Sequence, residues 1–600
     1  MKLSDYVIQR VAQEVKHVFM LAGGGSMHLV DSVGRCQDIE YICNLHEQAC
    51  AIAADAYSQY TNNLGVALVT TGPGGTNTVT GVAAAWLDSI PCLFISGQVK
   101  RADLIGDHGV RQMGFQEINI VDIVRPITKY VVTVTEPASI RYHLEKALYL
   151  ARHGRPGPIW IDIPLDVQAA EINETELQNF DPGEIANPFD PDLLRRQVSE
   201  AIQLLNQAER PVILVGNGVR LAKALDDFRE LIEILQVPVL NTWKAADFLA
   251  EDHPLYIGRP GSVGQRGANF TQQNSDWILI LGARLDLGQT GYNHRNFARA
   301  AKKIMVDIDQ AEIRKMDMTI DVPVCADVKA FIQEFIRQHC SIMPRDRSAW
   351  WSRCRGWKVE YPVVLPEYWE EKQGVNNYVL VDVLSDKMSK DDLLVPGSSG
   401  ACSEITMQAF RVKQGMRIIN SQGLGAMGFG IPASIGGCLA SGRKRTICID
   451  GDGGFQLNIQ ELETVKRLNL PIKFFVLNNG GYASIQATQR TYFAGHYVGS
   501  GASSGLTFPD TLKIASAYGL PTMQIQGHAH IRERVREMLE QEGPMICDVK
   551  ISPNQFTAPR LSSMQEADGS MVSKPLEDLW PFLDREEFKS NMVISLENEI

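Results

Sequence analysis

Nowhere in the chain do about eighteen apolar residues run together, so nothing reads as a membrane-spanning helix. Cysteine is sparse and unpatterned. Its eleven copies are odd in number and show no C-x-x-C spacing, which argues against both a disulfide framework and a structural zinc site. Most read as small core residues, Cys448 in an apolar strand being one. Long basic blocks are missing too: 58 Lys and Arg stand against 70 Asp and Glu, a net charge of −12, which disfavours nucleic acid and anionic membranes as partners. Any anionic ligand must then be held by local features. The opening Met1-Lys2-Leu3-Ser4-Asp5-Tyr6 has neither the charged head nor the apolar core of a signal peptide, and the expected location is cytoplasmic.

What is present is an ordinary globular composition, 44% hydrophobic and 21% charged, too apolar for disorder. Six hundred residues suggest three or four domains. Short apolar strands alternate with helices through residues 1–175, again through 192–340, and a third time through 373–555. That alternation predicts an α/β protein of three doubly wound, mostly parallel-sheet domains. Residues 169–191 read as a linker, 341–372 as a connection rich in Trp, Arg and Pro, and 556–600 as a charged C-terminal arm that closes over a site.

The most informative stretch runs from Asp450-Gly451-Asp452-Gly453-Gly454 to Asn478-Asn479-Gly480-Gly481. It predicts a strand over 445–449, a glycine turn, a helix over 455–468 and a second strand over 472–477. Neighbouring parallel strands aim their carboxyl ends at one crevice, so Asp452 and Asn479 should meet there. A carboxylate, an amide oxygen and a backbone carbonyl at Gly481 are what magnesium takes alongside water and phosphate, while glycines let the backbone approach a diphosphate. Taken alone, the Gly-Asp-Gly turn could be a surface turn.

This pattern resembles the signature of thiamin diphosphate (ThDP) enzymes, and the resemblance extends over nearly the whole chain. It is most similar to the acetolactate-synthase-like group. The supporting blocks are Leu45-His46-Glu47-Gln48-Ala49, Thr71-Gly72-Pro73-Gly74-Gly75-Thr76-Asn77, Ser96-Gly97-Gln98-Val99, Phe115-Gln116-Glu117, Gly154-Arg155-Pro156-Gly157-Pro158 and Gly423-Leu424-Gly425-Ala426-Met427-Gly428-Phe429-Gly430. The resemblance implies a pyrimidine-binding domain at 1–175, a central domain at 192–340 and a diphosphate- and magnesium-binding domain at 373–555, with the coenzyme between two subunits of a homodimer or homotetramer. Glu47 would exchange a proton with the coenzyme's aminopyrimidine, and Met427 would be the apolar wedge that bends it. Phe115, Gln116 and Gln98 match positions near the reacting carbonyl, and His28 is an acceptor-side candidate. Gly24, Gly25, Pro73, Asn77, Gly400, Gly425, Gly451, Asp452, Gly453, Gly454, Asn479, Gly481 and Tyr482 complete the implied coenzyme site, with Asp452, Asn479 and Gly481 as metal ligands. On spacing alone, a charged helix start is the favoured reading of Glu47 and core filler that of Met427, and a loop amide is the alternative for Gln116.

In the central domain, Gly216, Gly218, Gly282, Arg284, Asp307 and Asp309, with Arg155, match positions that hold FAD in acetolactate synthases. Glycine turns after strands can cradle a pyrophosphate, although any doubly wound domain has such turns, and an empty site is the alternative. Three departures bear on substrate. Acetolactate synthases carry an arginine where this chain has Gly288, a tryptophan where it has Thr488 and a lysine where it has Leu165. A glycine cannot replace a guanidinium's bidentate grip on a carboxylate. The expected reaction is therefore decarboxylation of pyruvate or a similar 2-oxo acid, with transfer of the acyl unit to a ketone or aldehyde, a keto-sugar nucleotide among the candidates. The alternatives are acetolactate synthase proper, a simple decarboxylase, and a ThDP-binding regulatory protein. A nicotinamide-linked dehydrogenase ranks last, because the Gly216 turn lacks a complete G-x-G-x-x-G.

Overall fold

The computed structural model describes residues 1–186, 189–398, 400–552, 555–565 and 571–595. Among these lie three six-stranded sheets in which every strand pair is parallel. The first contains β1 (His17–Met20), β2 (Glu40–Cys43), β3 (Gly65–Val69), β4 (Cys92–Gln98), β5 (Tyr130–Thr133) and β6 (Ile159–Pro164), in the order 2-1-3-4-6-5. The central sheet contains β7 (Pro211–Val215), β8 (Val239–Asn241), β9 (Tyr256–Gly258), β10 (Trp277–Leu281), β11 (Lys302–Asp307) and β12 (Val322–Cys325). The third contains β13 (Leu393–Pro396), β14 (Arg417–Ile418), β15 (Thr446–Gly451), β16 (Ile472–Asn478), β17 (Thr522–Ile525) and β18 (Met545–Lys550). Helices cover both faces, so inner strands such as β3 and β10 are buried at every position and read as continuous apolar runs rather than alternating ones.

The third sheet repeats the order of the first, 14-13-15-16-18-17. The central sheet runs 9-8-7-10-11-12, which within that unit is the 3-2-1-4-5-6 order of dinucleotide-binding folds, with its crevice between β7 and β10. The like-ordered first and third units pack through equivalent helices, Glu47–Thr61 after β2 and Gly430–Ala440 after β14. Small residues permit this. A Cβ on Gly436 would fall inside van der Waals distance of the Ala53 carbonyl, and one on Gly81 would strike Ala51 from the other side. With partners on both sides, Glu47–Thr61 is buried nearly all round.

Several sequence expectations are corrected. The single helix expected over 455–468 is broken into a 3₁₀ segment, Gly454–Glu461, and a short helix, Leu462–Arg467, because Asn458 leaves helical geometry to bond Gln48 and the Gly428 carbonyl. The expected connection at 341–372 contains the helix Ser348–Glu360, whose Trp350 and Trp357 are buried in the central core. The expected linker is tethered as well: Ile172 N donates to Met1 O, and Phe180 is buried. Residues 187–188 of that linker and 566–570 and 596–600 of the arm lie outside the described residues. The arm first bonds the third unit, where Thr557 donates to Glu404 and Pro559 O accepts from Gln408, and from Leu561 onward it lies along the central unit. Arg266 donates to the carbonyls of Leu579 and Pro581, Asn269 to that of Leu576, and Trp357 Nε1 to Asn591 Oδ1 at 2.7 Å.

Candidate active site

Parallel pairing puts Gly451 beside Leu477, so β15 and β16 end together. Asp452, just past Gly451, is buried, and its Oδ2 accepts the backbone N–H of Asn479 at 3.2 Å and of Gly480 at 2.7 Å. The two strand ends therefore meet as expected. Burial raises the Asp452 carboxyl to about 6, opposed by those N–H donors. Asn479 is exposed and its Oδ1 accepts from Gly481 N at 3.2 Å. Gly481 is pinned by an antiparallel bridge to Gly501, and Tyr482 N donates to Ser500 O at 2.9 Å. Gly453 packs so closely on the Tyr482 ring that no side chain would fit, whereas space is open where Gly451 and Gly480 would carry a Cβ. One carboxylate, one carboxamide and a backbone carbonyl around an open glycine cradle fit magnesium and a diphosphate. Gly454 and Gly397 both abut Asp450, a buried carboxyl that burial raises to about 7 and that the sequence reading gave no role.

Met427 lies half-buried between Gly425 and Gly428, whose φ of 64° and 85° give its loop left-handed turns. Gly400, φ 49°, opens the helix Gly400–Ala409 against the Ser484 hydroxyl.

On the N-terminal unit, Glu47 is the first residue of its helix and is 7% exposed. Asn77 Nδ2 donates to Glu47 Oε2 at 2.9 Å from the helix Pro73–Leu87, which Pro73 starts. Gly72, φ 63°, leaves no room for a side chain beneath the Gln116 carbonyl. Glu47, Pro73, Asn77 and Gln116 are thus gathered at adjoining helix starts and loops, with Phe115 85% exposed beside them. The turn Gly24–Ser26 follows β1, and Gly25 N donates to Thr70 Oγ1 at 3.1 Å. His28 is half-buried in the helix Met27–Arg35 that follows. Gln98 differs from its expectation. It is 3% exposed, takes Thr71 Oγ1 at 2.7 Å on its carbonyl, and gives its amide to Ile118 O and Asp162, so it braces the Thr71 loop from inside.

The two halves are tied by the 3₁₀ segment Gly454–Glu461. Gln456 bonds Asp452 O, and Asn458 Nδ2 donates to Gly428 O at 2.8 Å and to Gln48 Oε1 at 3.0 Å. Glu461 accepts Asn44 Nδ2 and Leu45 N in the loop that leads to Glu47. Sequence reasoning missed these residues because polar side chains inside an apolar helical pattern look like its solvent face.

In the central unit a cavity of about 1030 Å³ opens at the β7/β10 crevice, with Arg155, Gly216, Gly218, Gly282, Arg284 and Asp307 on its wall. Gly216 and Gly218 press against Gly282 with no space for side chains. Asp307 is 9% exposed and raised to about 6 by burial. Asp309 is absent from the wall: it caps the helix Gln310–Arg314 and pairs with Arg155 at 3.0 Å, and Arg155 also binds Glu312 at 2.7 Å. Arg259 turns away from the cavity to Phe410 O at 2.6 Å. Gly288 lies on the wall, Thr488 on an exposed helix with its hydroxyl on Ser484 O, and Leu165 half-buried after β6.

Comparison with known families matches each of the three units. Residues 1–123 match the N-terminal TPP binding domain of thiamine pyrophosphate enzymes, 198–335 their central domain and 398–549 their C-terminal TPP binding domain. The chain belongs to the thiamine pyrophosphate enzyme family. Within it, the chain is similar to the acetolactate synthase large subunit of Cyanidium caldarium, 31% identical over 92% of this chain and 93% of that protein. It is likewise similar to the acetolactate synthase of Arthrospira platensis, 32% identical over 91% and 93%, and to acetolactate synthase 1, chloroplastic, of Nicotiana tabacum, 32% identical over 94% and 83%. It is a ThDP-dependent enzyme of acetolactate synthase type. No helix among the described residues is long and apolar enough to cross a membrane.

Proposed function

We propose that this enzyme decarboxylates pyruvate or a similar 2-oxo acid and joins the acyl unit to a ketone or aldehyde acceptor, with a keto-sugar nucleotide as the acceptor class. When bound, thiamin diphosphate supplies the nucleophilic carbon and electron sink that such chemistry needs. Asp452, the Asn479 amide and the Gly481 carbonyl would hold magnesium and through it the diphosphate. Asn77 fixes the Oε2 side of the Glu47 carboxyl, which leaves its Oε1 side to hold or accept a proton. Met427 orients the coenzyme by apolar contact. Phe115 and Gln116, both exposed in one chain, line the approach of the acceptor on the side of His28, and covering them in an assembly would exclude water.

The observation that carries the acceptor assignment is Gly288. Gly288 itself offers only a backbone, so although Arg155, Lys244 and Arg284 stand elsewhere on the same wall, a second keto acid's carboxylate lacks the bidentate partner that an arginine at this position gives. FAD suits the central cavity by strand order, volume and abutting glycine turns, although Arg155 and Asp309 spend their charges on each other. A homodimer or homotetramer is proposed because Leu45, Met113, Phe115 and Leu457, all around the Glu47 and Asn458 loops, are 44–85% exposed in one chain.

Acetolactate synthase proper is the second reading, favoured by about 30% identity across nine-tenths of the chain. Labelled pyruvate with ThDP and magnesium, with and without a panel of ketones, separates the readings. Label in a new acceptor adduct supports the carboligase, efficient acetolactate from pyruvate alone supports the second reading, and free aldehyde supports a simple decarboxylase.

A further inference from the structure

The loop that carries Met427 is not held at its base by its own domain alone. Asp88, which follows the last turn of the helix Pro73–Leu87, accepts Gln422 N on one carboxylate oxygen at 3.0 Å and Gly423 N on the other at 2.8 Å. Lys244, in the turn after β8 of the central unit, pairs with Asp88 at 3.3 Å and donates to Asn420 O at 2.8 Å. Three backbone groups of the stretch 420–423 are therefore gripped by one ion pair drawn from the other two units. The pair is enclosed: the Asp88 side chain is 2% exposed and that of Lys244 13%. A third bond from Lys244 to Gln59 Oε1 at 2.8 Å ties it to the helix that begins at Glu47. Four residues beyond Gly423 stands Met427, and the loop's far end is fixed where Gly428 O accepts from Asn458.

A carboxylate that takes two adjacent backbone N–H groups, and whose charge is met by a buried ammonium, is a rigid and charge-assisted clamp. Isolated loops with two left-handed glycines have no such rigidity of their own. We infer that Asp88 and Lys244 are positioning residues for the coenzyme: their ion pair sets the path of residues 420–428 and so the place of Met427. This rests on the reading that Met427 meets the coenzyme. Asp88, Lys244 and Gln422 also lie on the wall of the central cavity, so the clamp adjoins that cavity.

The test uses full-length Asp88→Asn and Lys244→Gln. Amide hydrogen exchange is followed in peptides covering 420–428 and 450–455, and ThDP affinity is measured by titration calorimetry with magnesium present. Asp88→Asn keeps one acceptor and turns an NH2 towards a backbone N–H. It should speed exchange at 420–428 at least tenfold, leave 450–455 unchanged, and weaken ThDP binding about tenfold. Lys244→Gln should do the same to a smaller degree, about threefold. Exchange and affinity within twofold of the parent in either folded variant would overturn the clamp, and equal acceleration in both peptides would reduce the pair to a general fold contact. Should Asp88→Asn fail to fold, Lys244→Gln decides alone by the same criteria. Met427→Ala separates the underlying reading: parent-like ThDP affinity in that variant removes the wedge role and leaves the exchange result to judge the clamp.

Discussion

Glu47 is a carboxyl whose neighbours fix its direction. Asn77 can serve a glutamine at this position equally well, through the amide oxygen, so Glu47→Gln should fold and bind ThDP normally. What it loses is the proton, and general acid–base steps are worth about 10²–10⁴ in rate. A fall in turnover of at least about 100-fold at unchanged ThDP affinity is therefore expected, read by steady-state kinetics beside calorimetry. Asp162 makes a pH prediction. It is buried beneath Gln98 with Ser96, Gln98 and Thr133 on its oxygens, and burial raises it from an ordinary 3.8 to about 7. Between those values the folded chain keeps a proton that the unfolded chain releases, so stability declines as pH rises through that window and levels off above it. The slope is about 1.4 kcal/mol per pH unit. Asp162→Asn removes this titration, so its stability relative to the parent should climb from pH 4 to 7 and then stay flat. Urea unfolding across that range checks it, and a constant difference would mean the carboxyl is ionised in the fold.

Packing between elements is most exacting where Glu47–Thr61 meets Gly430–Ala440. Alanine is favoured over glycine inside a helix by about 1 kcal/mol, so Gly436→Ala should stabilise an isolated helix. Here the new Cβ would press on the Ala53 carbonyl, a backbone atom that cannot swing aside. Overpacking costs of about 1–3 kcal/mol outweigh the propensity gain. A lowered thermal midpoint is expected, and a raised one would show that the helices stand further apart in solution. The 3₁₀ segment Gly454–Glu461 illustrates the opposite case of legibility. Its apolar periodicity is helical, yet Asn458 leaves helical geometry, and Asn458 and Glu461 bond residues more than 400 positions away in sequence, Gln48 and Asn44.

For the whole molecule, the proposed interface predicts a concentration dependence. If the Glu47 side of one chain completes the Asp452 side of another, specific activity should fall on dilution in step with dissociation measured by sedimentation, and Phe115→Asp should shift both curves to higher concentration. Activity that is constant while the mass halves would show that each chain is sufficient. The arm belongs to this scale too. Its start bonds Glu404, in the helix that opens at Gly400, and its later part forms a belt along the central unit, where Arg299 and Glu577 pair at 2.6 Å.

The three alternating units, the Asp452 and Asn479 meeting and the helix start at Glu47 were legible in the sequence, because strand periodicity and glycine turns are local and their consequences follow from parallel pairing alone. Other features were settled only when distant segments came together. Arg155 and Asp309, both matched to a nucleotide, pair with each other, Gln98 turns inward to brace its own sheet, and Asp88 and Lys244 close on a loop more than 170 residues from either. A polar side chain's type shows what it can bond, but its partner depends on which chain segments the packed sheets bring within about 3 Å, and no local pattern encodes that.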